Sequence, residues 1–122
     1  MKKLWQTSAP LDSAVEAYTV GEDPVLDSRL LPYEVYGSLA HADGLVRAGV
    51  LTAKELSALR KELAKLLKRA GSFAVTREQE DIHTAVEQAL TKSLGDAGAK
   101  IHAGRSRNDQ VQVDLRLFLL DR

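Results

Sequence analysis

The 122-residue sequence contains no cysteine, which excludes disulfide bridges and thiolate metal centres and agrees with a reducing compartment. Proline occurs three times and glycine eight. They stand as punctuation between apolar-periodic segments, and no repeat or low-complexity tract appears. Neither sign of charge prevails, with 17 basic and 17 acidic side chains, so nothing draws the chain broadly toward nucleic acid or an anionic membrane. Aromatics make up only 5% of residues, too few to interleave with arginines as single-strand binding proteins require. No apolar run is long enough to span a bilayer, and the two lysines of Met1-Lys2-Lys3-Leu4-Trp5-Gln6 have no apolar signal stretch behind them. A cytoplasmic, soluble protein with no nucleic-acid or membrane partner is expected.

What is present reads as helix. Apolar content of 44% with 28% charged residues suits one compact domain with a modest core. Residues 1–33 are the least regular, broken by Pro10, Gly21, Pro24 and Pro32, with a short helix expected over Asp12–Tyr18. Val35, Leu39, Ala42 and Val46 recur at helical spacing and predict a helix from Tyr33 to Ala48, stopped by Gly49. Thr52-Ala53-Lys54-Glu55 is a capping box ahead of Leu56, Leu59, Leu63, Leu66, Leu67 and Ala70, a helix ending at Gly71. Ile82, Val86, Leu90 and Leu94 predict another from Glu80 to Leu94, closed by Gly95.

The last segment carries two conflicting signals. Val111-Gln112-Val113-Asp114-Leu115-Arg116-Leu117 alternates apolar and polar strictly, the pattern of a half-buried strand. Ser106, Asn108 and Asp109 just ahead of it are good helix N-caps, and an alternating set also suits a helix buried on more than one side. Helix is expected. Leu119-Leu120-Asp121-Arg122 carries no stop signal, the look of a helix cut short.

Three groups of residues are candidates for chemistry. Gly104-Arg105-Ser106-Arg107-Asn108-Asp109 sets two guanidinium forks, a hydroxyl and an amide at an expected helix start, an arrangement that suits a carboxylate. Routine capping in a basic surface loop would look the same. Glu80-Asp81-Ile82-His83 heads another helix, where acidic residues also answer the helix dipole. No second histidine lies four residues from His83, and Asp81 and His83, two apart, face different directions on a helix, so no metal site is expected. Asp27 can pair with a cationic substrate head or with Arg29. Gly37, Ser38 and Ala40 read as small residues for close helix packing.

The run Gly104 to Gln110 with Val111 resembles the G-R-S-R-N-D-Q-V signature of argininosuccinate lyases, a group within the fumarase and aspartase superfamily. Lys3-Leu4-Trp5, Leu26-Asp27-Ser28-Arg29-Leu30, Gly37-Ser38 with Ala40, Gly49-Val50-Leu51-Thr52, Glu80-Asp81-Ile82-His83 and Gly95 fall in that family's order. The resemblance implies an all-α fold: an extended arm with a short helix over 1–33, a small helical domain over 34–105, and the start of a central bundle helix over 106–122. It further implies β-elimination of argininosuccinate to arginine and fumarate, in arginine biosynthesis, by a homotetramer without cofactor or metal. Ser106, Arg107 and Asn108 would grip the fumarate half, Asp27 would receive the arginine half, and Asp81 would support the site near His83. His83, Arg105 and Gln110 are the other site-supporting residues.

The sequence departs from the family pattern at three places. Leu4-Trp5-Gln6-Thr7 replaces the common Leu-Trp-Gly-Gly, Asp23 stands where a substrate-contacting serine is usual, and Ala103 replaces the threonine before the signature glycine. In full-length enzymes of the family the catalytic histidine of a T-x-H segment and the G-S-S-x-M-P-x-K-N loop, whose serine is taken as the base, lie beyond the stretch matched here. No catalytic residue is therefore expected among these 122, and the piece alone is expected to be inactive. The alternatives are a non-catalytic binding or assembly module derived from this lyase, and nucleic-acid binding through Arg105 and Arg107, which the balanced charge disfavours.

Overall fold

A computed structural model describes residues 12–122; Lys3-Leu4-Trp5, Gln6, Thr7 and Pro10 lie outside them. The described residues are helical without a strand, the all-α class expected. Helices α1 (Ser13–Val20) and α2 (Asp23–Asp27) lead through a 3₁₀ turn, Ser28–Leu30, into α3 (Leu31–Arg47). Then follow α4 (Ala53–Lys68), α5 (Ile82–Leu94), α6 (Asp96–Ala99), a second 3₁₀ turn, Lys100–His102, and α7 (Arg107–Asp121).

Two prolines start helices here. Pro24 and Pro32 both sit in the first turn, of α2 and α3, where a missing N–H costs nothing because that amide has no intrahelical acceptor. The segment before residue 33 is therefore more helical than its prolines suggested. Thr52 and Glu55 form the expected capping box, with Thr52 N–H donating to Glu55 Oε2 at 2.9 Å and Glu55 N–H to Thr52 Oγ1 at 3.1 Å. Lys100 reaches across to the same glutamate at 2.9 Å.

Helix α5 begins two residues later than its periodicity predicts. Glu80 has φ +68°, a left-handed conformation that no helix interior tolerates, and Asp81 caps the helix instead. Gly95, at φ +61°, ends it. The core joins Leu31, Val35, Ala42 and Leu45 of α3, Leu59, Leu63 and Leu66 of α4, and Ile82, Ala85, Val86 and Leu90 of α5. Of the apolar positions read at helical spacing, Val35, Ala42, Leu59, Leu63, Leu66, Ile82, Val86 and Leu90 lie in this core, while Leu39, Val46, Leu56, Leu67, Ala70 and Leu94 are partly buried against it.

The alternating segment is a helix. α7 packs on α3, where Tyr33 meets Phe118 edge-on at 5.7 Å and donates to Asp121 Oδ2 at 2.7 Å. Its buried residues are the polar Gln110 and Asp114. Val113 and Leu115, by contrast, are each 43% exposed and Leu120 is 84% exposed. The expected burial on several sides is not supplied by the described residues.

Candidate functional site

The N-termini of α5 and α7 adjoin, and the surface residues singled out in the sequence gather there. Asp81 folds its carboxylate onto α5, accepting the Thr84 amide at 2.8 Å. Asp27, at the end of α2, accepts the Ile82 amide at 2.7 Å. Amides that the helix itself leaves without acceptors thus find carboxylates. Burial raises the Asp27 carboxyl above the ordinary aspartate range, against the pull of the Ile82 amide and of His83.

Arg107 opens α7 and lays its guanidinium across the head of α5, paired with Asp81 and donating to Thr84 Oγ1 at 2.9 Å. Ser106 caps α7: its Oγ accepts the Asp109 amide at 3.4 Å, and its own N–H donates to Asp109 Oδ2 at 3.2 Å. Ser106 and Asn108 are exposed. Ala103 is fixed through its backbone, since its carbonyl accepts from His41 Nε2 at 2.9 Å. The loss of a threonine side chain there leaves that anchor in place.

His83, Arg105 and Gln110 turn the other way, into the protein. They converge on Glu34, a buried carboxylate in the first turn of α3 that the sequence did not single out. His83 Nδ1 lies 2.7 Å from Glu34 Oε2. Gln110 Nε2 donates to Glu34 Oε1 at 3.0 Å, and Ser38 Oγ donates to that oxygen at 3.1 Å. The Arg105 guanidinium stands 3.7 Å from the same oxygen and touches Ser38 Oγ at 3.4 Å. Ser38, read as a small packing residue, is part of this network.

Asp114, 1% exposed, also hydrogen-bonds Glu34, and its Oδ2 lies 3.8 Å from His83 Nδ1. Two carboxyls this close in a dry site do not both ionise. Burial and the neighbouring Glu34 charge push the Asp114 carboxyl up to about 9. Burial alone would raise Glu34 as well, but the His83 hydrogen bond and charge, the Asp114 hydrogen bond and Arg105 together hold it below its ordinary value.

This gives a signed expectation. Between the ordinary aspartate value of 3.8 and about 9, the unfolded chain has released this proton while the folded chain retains it, so stability falls as pH rises through that window. Asp114→Asn keeps the shape and the donor toward Glu34 but cannot ionise. Its melting temperature is expected to exceed that of the unsubstituted chain at pH 8, with the gap closing toward pH 4. A gap independent of pH would contradict the protonated Asp114.

Glu34, His83 and Asp114 are also the described residues closest to a metal-ligand set, with their ligand atoms within 4.8 Å of one another. The Arg105 cation and the donors already on Glu34 oppose a second cation there.

The placement has a sequence trace that is plain only in retrospect. Gln110 and Asp114 are four apart and so share one face of α7, as Glu34 and Ser38 do on α3. A polar pair at helical spacing amid apolar residues is the available signal.

Comparison with known proteins gives a match to a family model described as a lyase, over residues 3–122. The argininosuccinate lyase of Parabacteroides distasonis is 46% identical over 119 residues, which cover 96% of this chain and 27% of that enzyme. Those of Thermotoga neapolitana and Xanthomonas euvesicatoria pv. vesicatoria are each 43% identical over 122 residues, covering 98% of this chain and 31% and 28% of theirs. The chain thus spans less than a third of the length of the curated relatives it matches.

Proposed function

Because the chain belongs to the lyase family whose model matches it over residues 3–122, we propose that it is the amino-terminal portion of an argininosuccinate lyase. In this reading 1–33 form the arm, 34–105 a small helical domain and 106–122 the first turns of a central bundle helix. The protein is cytoplasmic and works as a homotetramer. The observation that carries the proposal is the meeting of two helix N-termini at Arg107, whose guanidinium lies over the head of α5 next in sequence to the exposed Ser106 and Asn108.

The reaction is a β-elimination. A base removes the proton beside a carboxylate of argininosuccinate, the electron pair moves to form the double bond of fumarate, and the C–N bond breaks to release arginine. Negative charge builds on that carboxylate as the proton leaves. Fixed donors aimed at developing charge stabilise it more than they do the ground state, most of all where water is excluded. Ser106, Arg107 and Asn108 supply them, Asp27 receives the guanidinium end of the arginine half, and Asp81 steadies Arg107. His83, Arg105 and Gln110 support the loop from beneath. The base and the acid come from other parts of the enzyme, so this chain holds substrate without a catalytic residue of its own.

The test is a chimera in which this sequence replaces the matching segment of the Parabacteroides distasonis enzyme, with fumarate release followed by its ultraviolet absorbance. The chimera is expected to turn over argininosuccinate, and the purified 122-residue chain to release nothing above a buffer control. A folded chimera without turnover would falsify the assignment. Turnover by the chain alone would overturn the division of labour, and inactivity of the chimera with retained substrate binding would favour a non-catalytic binding module.

A further inference from the structure

Beneath the exposed residues, one carboxylate organises the site. Glu34, 2% exposed, takes hydrogen bonds from α3 through Ser38, from α5 through His83 and from α7 through Gln110, and faces Arg105 of the signature loop. A buried carboxylate with no donors is strongly disfavoured, so this many converging groups make Glu34 tolerable and in turn fix one another. Arg105 and Gln110 bracket Ser106, Arg107, Asn108 and Asp109. Securing both ends of that stretch to one carboxylate sets where the exposed donors stand. The same carboxylate acts on His83: an ionised oxygen 2.7 Å from Nδ1 can only accept, so Nδ1 must carry the proton.

We propose that Glu34 is a positioning residue for the anion-binding loop, holding Arg105 and Gln110 at its two ends and fixing the proton of His83 on Nδ1. The functional part rests on the lyase reading; the arrangement itself does not. Glu34→Gln is the informative variant. Its carbonyl can still accept from one side, but its amide must face either the Arg105 guanidinium, a donor that rejects it, or His83 Nδ1, which can accept it only by giving up its proton to Nε2.

Two measurements are needed. In the 122-residue chain labelled with ¹⁵N-histidine, the His83 signals are assigned by difference from His41→Gln and His102→Gln. Its Nδ1 is expected to show the shift of a protonated nitrogen, which moves in Glu34→Gln. An unprotonated Nδ1 in the unsubstituted chain overturns the proposal. In the chimera, Glu34→Gln is expected to raise KM for argininosuccinate about tenfold, because a displaced loop weakens substrate binding.

A purely structural role would reduce the amount of folded enzyme, lowering apparent kcat at unchanged KM, and that result also overturns the proposal. If Glu34→Gln does not fold, Gln110→Met removes one anchor at similar length and is expected to raise KM about threefold; an unchanged KM again counts against it. A chimera with no activity overturns the lyase reading alone, and the nitrogen shifts then decide whether Glu34 sets the His83 proton.

Discussion

Arg107→Ala in the chimera is expected to lower kcat/KM about 10²–10³-fold, the loss typical of removing a fixed donor to developing charge. The side chain stands at the first position of α7, over the head of α5, where its planar fork can meet both oxygens of a carboxylate while helix amides add a favourable dipole. Its partner Asp81 holds the fork in place. Arg107→Lys keeps the charge without the fork and should recover only part of the loss. The Arg107–Asp81 pair is substantially solvent-exposed, with the arginine side chain 46% exposed, and such pairs contribute at most about 1 kcal/mol to stability. Melting temperature should therefore move little while activity collapses. A chimera that keeps near-full kcat/KM without Arg107 would remove this residue from the substrate site.

The largest effect on stability is expected at a residue with no side chain. A Cβ on Gly98 would stand 2.3 Å from the Leu90 carbonyl oxygen, 2.4 Å from its carbon and 2.7 Å from the Thr91 nitrogen. These are backbone atoms of α5, so no rotamer change relieves the contact, and α6 must lift away. Overpacking of this kind costs about 1–3 kcal/mol, more where the neighbour is rigid. Gly98→Ala should lie at the upper end and lower the urea midpoint clearly. Gly71 is the internal control: a Cβ there meets nothing within 4 Å, and Gly71→Ala should change stability only slightly. A Gly98→Ala chain as stable as the original would show that α6 is free to shift.

Features confined to a few neighbouring residues were legible in the sequence. The Thr52–Glu55 box, the stop at Gly95 and the cap at Ser106 each act through one turn of chain, and each is found where the residues indicated. The start of α5 is not fixed by the sequence because Glu80 and Asp81 are both acceptable in a first helical turn; which of them leaves the helix depends on the Asp27 carboxylate at the Ile82 amide. Helix α6, Asp96–Ala99, is too short to show a period. For α7 the cap residues were right and the period misleading.

The site divides in the same way. Asp27, Asp81, Ser106, Arg107 and Asn108 carry charge or polarity at turns and helix ends, where chemistry is conventionally sought. Glu34 and Asp114 do not stand out in the sequence, because one reads as a first-turn acid answering the dipole of α3 and the other as the polar half of an alternating run. Their meaning is tertiary. Only when α3 and α7 pack do they meet, with His83 and Arg105 brought in from elsewhere in the chain.

α7 is built inside out. Gln110 and Asp114 point into the chain, while Leu119 and Leu120 look outward. Substitutions at 110 or 114 are felt within this chain, whereas exchanging Leu119 or Leu120, 69% and 84% exposed, for a polar residue removes little of that chain's own packing. Such positions give water nothing to prefer, so if the proposed lyase covers them, a solubilising substitution there would look like an improvement in any assay of the isolated chain and reveal its harm only in the assembled enzyme.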